Sequence, residues 1–289
     1  MAEFEPFATF SGSTITCFGK LTNPISRILS EEEKALLTSP DTPYSLFASR
    51  ARKRCMSRLK NYCNTINLAR QVLKMKSIKP LRNHTFITLT LSSTQIHCDL
   101  ILKRELLNHF IIDCSRNYGL VDYIWKAEIQ KNGNLHFHLL TPNFIPHEEL
   151  RANWNKIQDK LGYVQRSLNF KENKNPNSTD IHSLKKIKDV IAYTGKYMSK
   201  DGTGRPICGK SWGCSDRIQK LLPYRLYMGA DVTEWYWEQV NSIDSKIYNH
   251  EWHSTAKLKV APNLNSLPKE SLDKLKSIIS SNLAILQLR

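Results

Sequence analysis

Glu128-Ile129-Gln130-Lys131-Asn132-Gly133-Asn134-Leu135-His136-Phe137-His138 is the stretch on which the fold turns. Before it, Tyr123, Trp125, Ala127 and Ile129 alternate with Ile124, Lys126, Glu128 and Gln130; within and after it, Leu135, Phe137 and Leu139 alternate with His136, His138 and Leu140. A period of two marks β-strands, and the intervening Asn-Gly marks a hairpin. Directly opposed residues share a face. Burying Trp125, Ala127 and Ile129 with Leu135, Phe137 and Leu139 therefore fixes the parity of the register. A two-residue Asn-Gly turn would set Glu128 opposite Phe137, on the wrong face. A three-residue loop, Lys131-Asn132-Gly133, sets it opposite His136, with a type I turn, a bulge and a left-handed Gly133. The three-residue loop is the prediction, with Glu128, His136 and His138 on one polar face.

Two imidazoles and a carboxylate leave open positions on a divalent ion, as a catalytic centre requires. Mixed nitrogen and oxygen ligands suit Mg²⁺ or Mn²⁺ beside a phosphate, with zinc as an alternative. A lone His-x-His on a strand is more often a half-exposed strand face; here the register of Glu128 and a second segment argue for a metal. That segment is Tyr193-Thr194-Gly195-Lys196-Tyr197-Met198-Ser199-Lys200. On a helix, Tyr193 and Tyr197 share a face, and Lys196 and Lys200 follow them by three. A phenol with a pKa near ~10 needs activation to attack at neutral pH. A metal-polarised phosphate supplies the electrophile, and a lysine stabilises phosphoryl charge or holds the phenol. The competing reading is that both rings merely pack against a sheet. Tyr118 and Tyr123 lack a lysine at this spacing. The predicted site is thus Glu128, His136 and His138 for the metal, and Tyr193, Tyr197, Lys196 and Lys200 for catalysis.

Outward from these segments the periodicity predicts a strand over 85–92, a helix over 99–117, the hairpin strands 121–130 and 134–141, and a helix over 147–161. A strand over 163–170, a short strand over 180–184 and a helix over 188–200 follow. That order argues for an α+β fold with an antiparallel sheet flanked by helices. A basic helix is expected over 44–76, with a break near Asn61–Asn67. A short helix is expected over 30–37, where Ser30 and Glu33 form a capping box. Residues 231–242 and 268–288 also read as helices. The predicted organisation is a basic, mostly helical N-terminal extension over 1–80, a catalytic domain over 81–229 and a helical C-terminal region over 230–289.

The chain has 289 residues, a formal net charge of +16 and 40% hydrophobic residues, which implies an ordinary core and a polyanionic partner. Between Thr42 and Cys98 there is no Asp or Glu, while Arg50, Arg52, Lys53, Arg54, Arg58 and Lys60 cluster there. Those six are the candidate DNA contacts, since phosphate binding by such a cluster releases counterions; a solvated helix face is the alternative. Seven cysteines without a Cys-x-x-Cys argue for reduced thiols rather than a disulfide framework or zinc ribbon. No run of 18 apolar residues and no signal-peptide pattern are present, so no membrane association is expected.

These residues resemble the HUH endonucleases, and among them the two-tyrosine rolling-circle replication initiators (Rep) of small single-stranded DNA phages. Phe86-Ile87-Thr88-Leu89-Thr90 resembles the family's first core strand. Leu135-His136-Phe137-His138-Leu139-Leu140 resembles its His-hydrophobe-His motif, with Glu128 at the upstream acidic position, and Tyr193 to Lys200 resembles its two-tyrosine motif. Ser211-Trp212-Gly213-Cys214-Ser215 also resembles a recurrent segment. The resemblance covers about residues 84 to 229. Relaxases place the tyrosine before the histidines, and two-tyrosine transposases often carry a cysteine-rich zinc module; neither holds here. The resemblance implies an RRM/ferredoxin-like sheet and a site-specific endonuclease and strand transferase. Such an enzyme nicks origin DNA, single-stranded or in a hairpin, and forms a 5′-phosphotyrosine and a free 3′-OH before rejoining the strand. It further implies a host helicase and DNA polymerase as partners in a bacterial cytoplasm. An HUH transposase or relaxase and a non-catalytic nucleic-acid-binding protein are the alternatives.

Overall fold

The computed structural model describes residues 4–11, 14–21, 44–167, 172, 174–186, 190–199, 205–249 and 253–288. In chain order the elements are β1 (Phe4–Ser11), β2 (Thr14–Leu21), α1 (Tyr44–Gln71) and β3 (Thr85–Leu89). A long helix, α2, follows as Asp99–Ile101, a π-helical Leu102–Leu107 and Asn108–Tyr118. Then come β4 (Ile124–Ile129), β5 (Leu135–Thr141), α3 (His147–Asp159), β6 (Thr179–Ser183), α4 (Val190–Ser199), β7 (Trp212–Cys214) and α5 (Asp216–Lys220). The last are β8 (Leu226–Tyr227), α6 (Ala230–Ser242), β9 (Ser245–Asn249), β10 (His253–Leu258) and α7 (Lys269–Leu286). The molecule is α+β, with antiparallel sheets flanked by helices. No helix among the described residues is long and apolar enough to cross a membrane. No disulfide forms among the cysteines.

Two compact units divide the chain, one from residues 47–59 and 79–220, the other from 1–46, 60–78 and 221–289. The first holds an antiparallel sheet in the order β6-β3-β5-β4-β7. Its hairpin has the predicted register, with Glu128 paired to His136 and Ala127 to Phe137. The loop closes as the three-residue form, with the Gln130 N–H donating to the Asn134 carbonyl and the Gly133 N–H to the Gln130 carbonyl. Gly133 has φ 84°, which a side chain rarely tolerates, so glycine is required there.

One face of this sheet is the core. Ile87, Leu89, Ala127, Ile129, Leu135, Phe137 and Leu139 pack with Leu102, Leu106 and Phe110 of α2 and Leu150, Trp154 and Ile157 of α3. Trp154 meets Phe110 edge-on at 5.8 Å, and its indole N–H donates to the Thr90 carbonyl at 2.7 Å, so its one polar atom is satisfied in the core. The opposite face carries the alternate residues of the same strands, among them Phe86, Thr88, Lys126, Glu128, His136 and His138. Helix α4 packs on that face against β4 and β5.

The segment Ser211–Ser215 supplies the edge strand β7, with Trp125 paired to Gly213 and Lys126 to Trp212. A Cβ on Gly213 would stand 2.7 Å from the Trp125 indole nitrogen, so only glycine lets the strands close over that ring. Trp125 is held edge-on against Phe137, 6.3 Å between centroids, and cannot swing clear without disturbing the core. Gly213→Ala is therefore expected to destabilise the fold by about 1–3 kcal/mol, as overpacking does elsewhere. Urea unfolding checks this; an unchanged midpoint would show that the indole yields freely.

In the second unit the sheet order is β8-β1-β2-β10-β9, all antiparallel. Ala8, Phe10, Ile15, Ala256 and Leu258 form its buried face, with Trp235 of α6 edge-on to Phe10.

Four expectations need correction or completion. Helix α1 runs unbroken through 61–67: Asn61, Asn64 and Thr65 are buried, and the Thr65 hydroxyl donates to the Asn61 carbonyl, so their polar groups are satisfied inside the fold rather than breaking the helix. No strand forms over the described part of 163–170. After Gly162 the chain winds through tight turns, burying Tyr163, whose hydroxyl accepts the N–H groups of Ile96 and His97. Strands β1, β2, β9 and β10 stand in regions that sequence periodicity marked only for helices. The expected helix over 30–37 lies outside the described residues.

Candidate active site

Glu128 Oε2 lies 3.4 Å from His136 Nε2 and 3.2 Å from His138 Nε2. All three side chains are largely buried, Glu128 and His138 at 6% exposure and His136 at 13%. Their ligand atoms lie within 4.8 Å of one another, so the cluster could hold a divalent cation. Two features fit that use. Two imidazole nitrogens converge on one carboxylate oxygen in a buried pocket, a donor set that suits a cation. The Thr88 hydroxyl engages His138 Nδ1 at 3.1 Å, turning Nε2 toward the cluster, as supporting hydrogen bonds do for metal-ligating histidines. His136 Nδ1 is buried and has no hydrogen-bond partner among the described residues. Lys126, also buried, lies on the same face directly opposite His138.

Helix α4 brings both tyrosines over this face. The Tyr197 ring lies 5.2 Å from the His138 ring, and the Tyr193 ring 5.2 Å from that of Tyr197. Phe86 is the floor beneath them, 5.1 Å from Tyr197 and 6.0 Å from Tyr193. Gly195, between the tyrosines, lies against the Met56 side chain of α1. The hydroxyl of Tyr193 lies 2.9 Å from His182 Nε2 on β6. Burial, then the neighbouring Tyr197, then the Asp180 carboxylate push the Tyr193 phenol up to about 12. Tyr118 and Tyr123 instead pack against the core cluster.

Lys196 is exposed on α4, one residue before Tyr197; Lys200 lies outside the described residues. Of the candidate DNA contacts on α1, Lys53, Arg54 and Lys60 are exposed and Arg52 and Arg58 half-buried; the side chain of Arg50 is outside the described residues. Residues 47–59 of this helix belong to the unit that holds the site.

Sequence reasoning missed three residues. Lys126 was visible on the polar face, but nothing in the sequence showed that it is buried. Asp180 and His182 alternate on a short strand, which is the only local signal; that they face Tyr193 follows from β6 pairing with β3, where Asp180 opposes Thr88 and His182 opposes Phe86.

The fold and site define a class: an antiparallel α+β sheet presenting, on one face, a metal-capable Glu/His/His cluster and two helix-borne tyrosines. Residues 84–202, which contain the cluster and both tyrosines, match the family of replication-associated proteins of the ORF2 type. That similarity supports a DNA-processing role in replication initiation. No curated protein and no solved structure matches the chain.

Proposed function

We propose that this chain is a rolling-circle replication initiator of the two-tyrosine HUH type, which nicks single-stranded DNA at an origin and rejoins it. The observation that carries this reading is the placement of Tyr193 and Tyr197 beside the Glu128–His136–His138 cluster, the Tyr197 ring 5.2 Å from that of His138. When bound by those three residues, a Mg²⁺ or Mn²⁺ ion supplies Lewis-acid polarisation of a phosphodiester oxygen. A tyrosine oxygen then forms a bond to phosphorus as the bond to the 3′-oxygen breaks. The products are a 5′-phosphotyrosine and, once that oxygen takes a proton, a free 3′-OH. Bond energy is kept in the phosphotyrosine, so no ATP is consumed. After one round the second tyrosine cleaves the regenerated origin, and the released 3′-OH attacks the first phosphotyrosine to close a circle. Lys196 and Lys200 stabilise charge on the phosphoryl oxygens.

A host DNA polymerase extends the 3′-OH in the bacterial cytoplasm, and strand separation falls to a host helicase. The experiment is a denaturing gel of purified protein with labelled single-stranded oligonucleotides tiling the DNA that encodes the chain, with Mn²⁺ or EDTA. A metal-dependent covalent adduct is expected. DNA binding with no adduct on any oligonucleotide would favour a non-catalytic binding protein. Unit-length circles among the products separate an initiator from a transposase or relaxase.

Helix α1 is the proposed grip on DNA, through Arg50, Arg52, Lys53, Arg54, Arg58 and Lys60. Lys53→Glu with Arg54→Glu is expected to weaken binding uniformly across sequences and lower the salt slope by about one for each phosphate that is no longer neutralised. Fluorescence anisotropy at several salt concentrations measures both, and unchanged affinity would remove α1 from the interface.

A further inference from the structure

Asp180 and His182 lie on the site face of β6 and are used neither by the Glu/His/His cluster nor by the lysines. Asp180 Oδ2 stands 3.3 Å from His182 Nδ1, and His182 Nε2 stands 2.9 Å from the Tyr193 hydroxyl. Phe86 separates His182 from the cluster, its ring 5.7 Å from His182 and 5.4 Å from His138. A carboxylate that accepts from Nδ1–H leaves the lone pair of Nε2 aimed at the phenol. That is the tautomer a proton acceptor needs. The Tyr193 phenol, pushed up by burial and by its neighbours, keeps its proton at neutral pH, so attack by Tyr193 calls for such an acceptor. Tyr197 instead has its ring against His138. The two tyrosines are therefore chemically unequal.

We propose that Asp180 and His182 form a proton relay dedicated to Tyr193, with His182 as its general base and acid and Asp180 as the residue that positions the imidazole. The proposal rests on the strand-transfer reading above. In cleavage, the Tyr193 oxygen bonds to phosphorus, its proton passes to His182 Nε2, and the bond to the 3′-oxygen breaks, that oxygen taking a proton from solvent. In rejoining, the 3′-OH loses its proton to solvent as it attacks phosphorus, the phosphotyrosine bond breaks, and the Tyr193 oxygen recovers its proton from His182. The titratable groups facing His182 among the described residues are Asp180 on its own strand and Tyr193 on α4, with Tyr197 behind Tyr193; β3 offers uncharged Phe86.

The test uses the full chain carrying Tyr197→Phe, so that only Tyr193 can attack, with the tiled single-stranded oligonucleotides and Mn²⁺. The rate of covalent adduct formation is followed against pH, with and without added imidazole. An imidazole accepts a proton only when neutral, so the parent rate should fall as the medium is acidified. His182→Ala should slow the adduct about 100-fold or more, flatten that acid limb and be rescued by imidazole. Asp180→Asn should slow it about 10-fold or less, with the acid limb kept. His182→Gln keeps a hydrogen-bonding side chain and tests the same loss if His182→Ala fails to fold. An unchanged rate and pH profile in the His182 variants, or no adduct from Tyr193 when the Tyr193→Phe protein still forms one, would overturn the relay while leaving the strand-transfer reading intact. No adduct from the unmodified chain would overturn the strand-transfer reading itself.

Discussion

Tyr193→Phe combined with Tyr197→Phe is expected to abolish covalent attachment to DNA while leaving binding and folding in place. Each substitution removes one oxygen and keeps the ring. The contacts of both rings with Phe86 and of Tyr197 with His138 survive, and the structural cost is confined to the hydrogen bond from Tyr193 to His182, about 1 kcal/mol. The chemical cost is the whole nucleophile, a loss on the order of 10⁴-fold or more in adduct formation. The single variants should differ. Tyr193→Phe keeps the tyrosine beside His138, and Tyr197→Phe keeps the one beside His182. Each should still cleave, but neither should close circles, because the exchange needs two nucleophiles. Denaturing gels of labelled oligonucleotide read the adduct, and circle formation reads the exchange. Cleavage that persists in the double variant would show that neither tyrosine is the nucleophile.

The second large effect is expected at the cluster. His136→Ala and His138→Ala each remove one of three ligands and should weaken Mn²⁺ binding, measured by calorimetry without DNA, by about 10-fold at least, together with loss of the adduct. Thermal melting gives a reading independent of activity. A cation that binds only the folded chain stabilises it, by about 2.7 kcal/mol at a hundred times its dissociation constant. Mn²⁺ should therefore raise the melting temperature of the unmodified protein and not that of the variants. Thr88→Val, which removes the hydroxyl beside His138 Nδ1, should fall between the two. Equal Mn²⁺ affinity in all four proteins would show that the cluster is a buried hydrogen-bond network, with Glu128 bridging two histidines.

Several elements were legible from residue order because their determinants are local. The hairpin is the clearest case. Alternation assigns faces, parity allows only certain pairings, and Gly133 supplies the one left-handed residue the loop needs, so the pairing of Glu128 with His136 follows without any distant contact. Spacing of four likewise puts Tyr193 and Tyr197 on one side of α4. The failures share a cause. Asn61, Asn64 and Thr65 look like helix breakers until burial within the fold satisfies them, and Tyr163 reads as strand until loop 93–97 closes over its hydroxyl.

By itself the sequence determined the α+β sheet, the register of the hairpin and the set of groups on its polar face, because period, parity and turn chemistry act over a few residues. Only the tertiary structure decided which tyrosine meets which histidine, that Lys126 is buried opposite His138, and that β6 carries Asp180 and His182 to Tyr193. Those juxtapositions depend on strand order and on where α4 lands. Strand order and helix docking are set by the burial of the whole core, which no short stretch of sequence encodes.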